Sequence, residues 1–231
     1  MAIFSVIVVT APPPGQGAEA GGPFVKVDNR EALLRSIELF LNREHIKQVQ
    51  VAFLPDKLEE AKRKFGGHLA LTGVKMLSAG PRWIDQLAAA NEKIADDVTH
   101  VIVHDGARPA VPYSDIDALQ AAAEKSTVVA LATPSRCGLV EVDEGGAPVA
   151  LHTSERFMQL LTPQAFTRAR FAELAKSRQE PHASEMTIVK GSPLNIRVGG
   201  AGDATLVKAM LNMLPKPKLR APDNPFEEAQ W

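Results

Sequence analysis

A single cysteine, Cys137, stands among 231 residues. That excludes an intramolecular disulfide and leaves little basis for a cysteine-based metal site. A reducing compartment, the cytoplasm, is the expectation. Net charge is equally scant: 26 Lys and Arg against 27 Asp and Glu give a formal charge of −1. No global field draws such a chain to nucleic acid or to an anionic membrane, so neither is expected as a partner. Any anion it binds has to be held by a local cluster. Long apolar runs are missing too. The run from Ile3 to Val9 is too short to span a bilayer and no basic residue precedes it, so it reads as a buried strand and no membrane segment is expected. Internal repeats and an interdomain linker are also lacking.

What is present is the composition of a globular protein, with 45% hydrophobic and 23% charged residues. A chain of this length buries a sizeable core without staples. Apolar runs at 3–9, 98–104 and 127–133 read as strands covered on both faces, with further strands at 47–54 and 75–79. Between them the 3.6-residue pattern predicts helices. One follows Asn29 as its cap, with Leu33, Leu34, Ile37, Phe40 and Leu41 on one face. Others fall at 56–65, 82–94 and 114–124. This alternation predicts an α/β fold with a doubly wound, mainly parallel sheet, whose loops after the strands gather along one edge. Residues 138–154 break the pattern: L-V-E-V, then D-E-G-G, then P-V-A-L-H-T predicts a projecting β-hairpin arm that seeks a partner. Beyond it we expect a helix at 163–177, strands at 186–189 and 194–198, and a last helix at 203–213. Residues 1–214 read as one domain including the arm. The tail from Pro215 to Trp231, with four prolines and many charges, reads as flexible.

The sharpest motif is Val103-His104-Asp105-Gly106-Ala107-Arg108-Pro109, at the end of the best predicted strand. An Asp there is placed to hold a divalent cation and an Arg to hold phosphate. As plain structure, the same residues make a strand end and a turn. The segment resembles the V-H-D-A-A-R-P signature of the methylerythritol-phosphate cytidylyltransferases and of the related ribitol-phosphate enzymes. Thr162-Pro163-Gln164 matches that family's T-P-Q. Gly191-Ser192 with Asn195-Ile196-Arg197-Val198 resembles its G-S-x-x-N-I-K-V/I, and Asp203 falls where an Asp opens its last helix. The resemblance runs from about residue 3 to residue 213.

It implies a Rossmann-like nucleotidyltransferase fold and a reaction. The phosphate of methylerythritol phosphate attacks the α-phosphorus of CTP and pyrophosphate leaves, a step in isoprenoid precursor synthesis. Catalysis of this kind is positioning plus cationic stabilisation, with Mg²⁺ as cofactor. Carried over by position, Asp105 would hold the metal, with Arg197 and Lys26 as further catalytic cations. Arg108, Arg156 and Thr162 would bind the sugar phosphate. Ala11, Gly15, Gly17, Gly80 and Gln86 would line the nucleotide site. A homodimer through the hairpin arm would bring Arg156 to a neighbour's cleft.

Several positions depart from the family pattern. The first loop, similar to P-A-A-G-x-G-x-R-M in the family, here reads Thr10-Ala11-Pro12-Pro13-Pro14-Gly15-Gln16-Gly17-Ala18. Three prolines remove three N–H donors, and no Lys or Arg occurs before Lys26. Lys26 is thus the one candidate substitute for the lysine that the family carries after this loop. Near residue 80, Gln86 replaces a serine and Arg82 is displaced by one position, about 100° around a helix. After the strand at 127–133, Arg136-Cys137-Gly138 replaces a D-T-[IVL]-K string. Cys137 serves no step of this chemistry and reads as a small side chain. Two readings stay open: a cytidylyltransferase with a rearranged site, or a non-catalytic dimeric relative. The losses cluster on the nucleotide side, so weak CTP binding and low turnover are expected.

Overall fold

The computed structural model describes residues 1–15 and 22–214. The expected tail, Gly17 and residues 16–21 of the first loop lie outside them. β1 (Phe4–Val9) is buried at every position, as an apolar run with no polar alternation requires of a central strand. After a short turn at Gly22–Phe24 come β2 (Lys26–Val27), β3 (Arg30–Glu31) and α1 (Ala32–Glu38). Next are β4 (Ile46–Phe53), α2 (Pro55–Leu71), β5 (Lys75–Ser78), α3 (Trp83–Asn91), β6 (His100–Asp105) and α4 (Tyr113–Ala123). The chain continues with β7 (Val128–Pro134), the hairpin β8 (Leu139–Val142) and β9 (Pro148–His152), and then β10 (Met158–Thr167). It finishes with α5 (Arg168–Ser177), β11 (Met186–Lys190) and α6 (Ala201–Met213).

Seven strands form one sheet in the order β11-β7-β10-β6-β1-β4-β5. All neighbours are parallel except β10, which runs antiparallel to both β6 and β7. Side chains alternate between two cores. Phe4, Val6, Val8 and Ile102 pack with Leu33, Phe40, Phe65 and Leu119 of the α1, α2 and α4 layer. Ile7, Val9, Val101 and Val103 pack with Trp83, Leu87, Phe171 and Leu174 of the α3 and α5 layer. Helices therefore cover both faces, as expected. Fully buried side chains such as Phe40, Phe53 and Phe171 each contribute about 1.5–3 kcal/mol.

Four expectations need correction. Residues 163–167 are the end of β10, not helix, and α5 starts at Arg168. The register shifts between Leu161 and Gln164, and Pro163 sits inside the sheet at that irregularity, where a strand tolerates a residue without an N–H; the Thr162–Pro163 peptide is cis. Residues 194–198 form no strand; they are held by single contacts, including the Val198 N–H donating to Ala107 O at 2.8 Å. Asn29 does not cap α1. Asp28 and Asn29 both have positive φ, 55° and 64°, in the turn joining β2 to β3, a geometry in which Asn and Asp replace glycine at small cost. Finally, α2 extends to Leu71 because Ala61, Phe65 and Leu69 give its charged sequence a buried face.

The hairpin forms where its sequence placed it. β8 and β9 make a separate two-stranded sheet, and all four residues of β8 are exposed.

Candidate functional site

The site is assembled at the carboxyl end of β6. Gly106 follows the strand, and a Cβ there would lie 2.7 Å from Leu33 Cδ1 and 3.1 Å from Val9 O. That crowding explains glycine where the related signature has alanine. It also draws the β6 end against β1, with the Gly106 N–H donating to Val9 O at 2.9 Å.

His104 points into the core and is wholly buried. Its Nε2 lies 3.0 Å from Arg108 O and its Nδ1 3.3 Å from Thr162 Oγ1. A carbonyl only accepts, so Nε2 carries the proton and Nδ1 accepts from the Thr162 hydroxyl. That hydroxyl in turn accepts the Asp105 N–H at 3.0 Å. Burial drives the His104 pKa down to about 3. Thr162 is itself buried, and its carbonyl accepts from Asn195 Nδ2 at 2.7 Å. Both side chains are therefore struts that fix the Asp105 backbone.

Asp105 is buried, not exposed in a cleft as a metal ligand should be. Its Oδ1 accepts the Ala107 N–H at 2.9 Å and its Oδ2 accepts from Arg197 Nε at 2.8 Å. Arg108 Nε stands 3.8 Å from the same Oδ2, too far for a hydrogen bond. Arg108 Nη1 donates to Asn195 O at 2.7 Å. Burial, opposed chiefly by the Arg197 charge, pushes the Asp105 carboxyl up, and it pulls the Arg108 guanidinium down.

Above this cluster opens a cleft of about 550 Å³. Arg108, Arg136 and Arg197 line it, together with Pro14 and Gly15 of the first loop and Ser192 and Asn195 opposite. Asp105 is not among the lining residues. Three arginines thus border one space, and among the described residues one carboxylate, that of Asp105, is bonded beneath them. Such a cleft suits an anion with several oxygens.

The other expected site residues fall elsewhere. Lys26 is exposed on β2, paired in register with Glu31, and does not line the cleft. Gln86, a candidate for the nucleotide site, is buried. Its Oε1 accepts the Thr10 N–H at 2.8 Å and the Ala11 N–H at 3.3 Å, so it ties down the start of the first loop. Ala11 is buried with it. Gly80 borders a different depression, beside Arg82, Asp85 and Arg178. There Arg82 makes a two-pronged pair with Asp85. Arg156 is exposed in the short turn Ser154–Arg156 after the hairpin. Gly15, at φ +75°, is the nucleotide-loop glycine that the structure brings to the cleft among the described residues.

Arg136 is the cleft residue that sequence reasoning overlooked as a ligand group. It appeared only as part of a replaced string, although a cation just past the end of β7 had to share the edge where Asp105 and Arg108 lie.

A divalent cation does not fit this arrangement. Among the described residues no group of three His, Cys, Asp or Glu could hold one. Nucleotide phosphates would relax that need, leaving Asp105 as the protein ligand. Both of its oxygens accept hydrogen bonds and the side chain is closed to solvent, so a cation would have to enter a buried ion pair.

Comparison with known proteins follows this geometry. The family model described as 2-C-methyl-D-erythritol 4-phosphate cytidylyltransferase matches residues 5–213. A protein of that name from Shewanella piezotolerans is 30% identical over 212 residues, covering 86% of this chain and 90% of its own length. One from Bacillus pumilus is 24% identical, covering 89% and 96%. A third, from Frankia casuarinae, is 28% identical over 167 residues, and the match spans 61% of its length. Among solved structures, a 4-diphosphocytidyl-2C-methyl-D-erythritol synthase from Anaerococcus prevotii aligns with TM-score 0.73 at 17% identity, covering 91% of this chain and 96% of its own. A cytidylyltransferase structure from Thermus thermophilus aligns at 0.69 and 22% identity, covering 92% and 100%. At these identities the structures speak for the fold. No helix among the described residues is long and apolar enough to cross a membrane.

Proposed function

This chain belongs to the 2-C-methyl-D-erythritol 4-phosphate cytidylyltransferase family, and we propose that its cleft binds CTP and methylerythritol phosphate and joins them slowly. The observation that carries this reading is the convergence of Arg108, Arg136 and Arg197 on one space at the sheet's carboxyl edge. In the proposed reaction a phosphate oxygen of the sugar alcohol attacks the α-phosphorus. The bond from that phosphorus to the bridging oxygen breaks, and pyrophosphate carries the electron pair away. No protein nucleophile is required. The guanidiniums offset the charge that gathers on the phosphoryl oxygens.

Slow transfer is proposed because the first loop brings Pro12, Pro13 and Pro14, which cannot donate, and no cation precedes Lys26. Each missing donor in such sites costs on the order of 3 kcal/mol, about a hundredfold in rate. A second reading, a non-catalytic relative that retains the anion cleft, is favoured by the closure of Asp105 under Arg197. A pyrophosphate-release assay beside the Bacillus pumilus relative decides between them. Turnover about a hundredfold or more below that protein, and lost in Arg108→Ala, supports the first. Absence of turnover with CTP binding retained in calorimetry supports the second. Turnover equal to the relative's overturns both.

The proposed assembly is a homodimer through the hairpin, and the proposed compartment is the cytoplasm, on the strength of the lone cysteine. Val140, Val142, Val149 and Leu151 are all more than half exposed, Leu151 at 78%. An isolated hairpin cannot hold such a surface in water without a cover. Light scattering at micromolar concentration should give twice the chain mass; a monomer sinks the proposal.

A further inference from the structure

Arg197 lines the cleft and Asp105 lies under it, joined by a 2.8 Å hydrogen bond. From this we propose that the cleft holds its phosphorylated ligand without a divalent cation, the Arg197 guanidinium occupying the place against Asp105 that a metal would need. The inference rests on the reading of this cleft as a phosphate site.

Three observations support it. The Asp105 carboxylate accepts a hydrogen bond on each oxygen and is shut off from solvent, so a metal would have to break into a buried ion pair. Breaking such a pair leaves an uncompensated buried charge. Second, the cleft is already cationic. Among the described residues Asp105 is the acid set against Arg108 and Arg197, and Arg136 is exposed on the rim. A polyphosphate can be neutralised by these groups, whereas a free divalent ion would enter against them. Third, position 197 carries arginine where the related motif has lysine. A guanidinium presents its donors in a rigid plane, and here its Nε is fixed on Asp105 Oδ2 in a way that a lysine's point charge does not reproduce.

The test is calorimetric titration of the full chain with inorganic pyrophosphate, once in EDTA and once in Mg²⁺. It uses the unmodified protein and the variants Asp105→Asn and Arg197→Lys. We expect binding in EDTA that is no weaker than in Mg²⁺. Asp105→Asn keeps the shape and removes a negative charge beside two guanidiniums, so affinity should stay level or rise by up to about tenfold. Arg197→Lys should weaken binding in EDTA by about fivefold or more, through loss of the planar donor array. Circular dichroism of each variant guards against misfolding. Should Asp105→Asn fail to fold, the EDTA comparison and Arg197→Lys carry the test. Binding in Mg²⁺ alone, or loss of Mg²⁺-dependent affinity in Asp105→Asn, overturns this inference and leaves the proposed function standing. Absence of pyrophosphate binding in both buffers overturns the two together.

Discussion

The loop after β1 and the segment from Ser192 to Val198 flank the same cleft, and they differ in what they bring to it. The loop contributes Pro14 and a left-handed Gly15, and its base is fastened to the protein body by Gln86. The opposite segment contributes Arg197 and Asn195, which are bonded to Asp105, Arg108 and Thr162 beneath. One wall is shaped by backbone restriction and the other by charge held in a hydrogen-bonded frame. Anion affinity should therefore reside in the second wall, and changes to the first should read out as stability.

The largest effect should come from the charged wall. Arg197→Ala leaves the buried Asp105 without its closest cation and should cost about 3–5 kcal/mol of folding free energy, measured by urea unfolding. The double variant Asp105→Asn with Arg197→Ala should recover part of that loss. A cost below about 1 kcal/mol, typical of an exposed pair, would show that the pair is not closed in solution. On the other wall, Gln86→Ala strands the buried Thr10 and Ala11 N–H groups and should cost about 1–3 kcal/mol, with pyrophosphate affinity unchanged. Loss of affinity without loss of stability would put Gln86 in the ligand's path and break the contrast.

His104 tests the frame by pH. It stays neutral in the fold down to about pH 3, against 6.5 for the free side chain. Between those values the unfolded chain takes up a proton that the folded chain refuses, so stability falls as pH falls, by about 1.4 kcal/mol per pH unit for this one group. Above pH 6.5 the group contributes no slope. The charge that acts on it is that of Arg108, whose carbonyl its ring also meets. Urea unfolding at pH 7.5, 6 and 5, compared with His104→Gln, isolates its share. Equal slopes in the two proteins would mean that the imidazole is not held neutral.

Much of the sheet was legible because it is built from buried apolar runs. β1, β6 and β7 have no polar alternation, and the helices between them have clear apolar stripes. β10 was not legible: Gln159, Thr162, Pro163 and Gln164 interrupt its apolar residues, and only insertion between β6 and β7 makes such a sequence a strand. The site was half legible. A motif at a strand end located Asp105 and Arg108, and spacing located Arg197. Which side chain turns outward was hidden, because it depends on contacts across 58 to 92 positions, such as Thr162 with His104 and Arg197 with Asp105. The hold of Gln86 on the first loop was hidden for the same reason: its partner, the Thr10 N–H, lies 76 positions away.

The smallest effect should separate ligand binding from folding. Arg136 is exposed at the rim, after β7, on the wall of the cleft that also carries Arg108 and Arg197. Among the described residues it makes no ion pair, so Arg136→Ala should leave the urea midpoint within about 0.5 kcal/mol of the parent value, as surface changes do. A charge-assisted contact to phosphate at a solvent-screened edge is worth about 1 kcal/mol, so pyrophosphate affinity should drop by about fivefold. Raising the salt should shrink that difference, because an exposed charge is screened over about 10 Å at 0.1 M. An unchanged affinity would remove Arg136 from the site and leave Arg108 and Arg197 as its cations. A loss of stability instead would mean that the rim arginine is part of the frame, and the contrast between a charged wall and a structural wall would have to be redrawn.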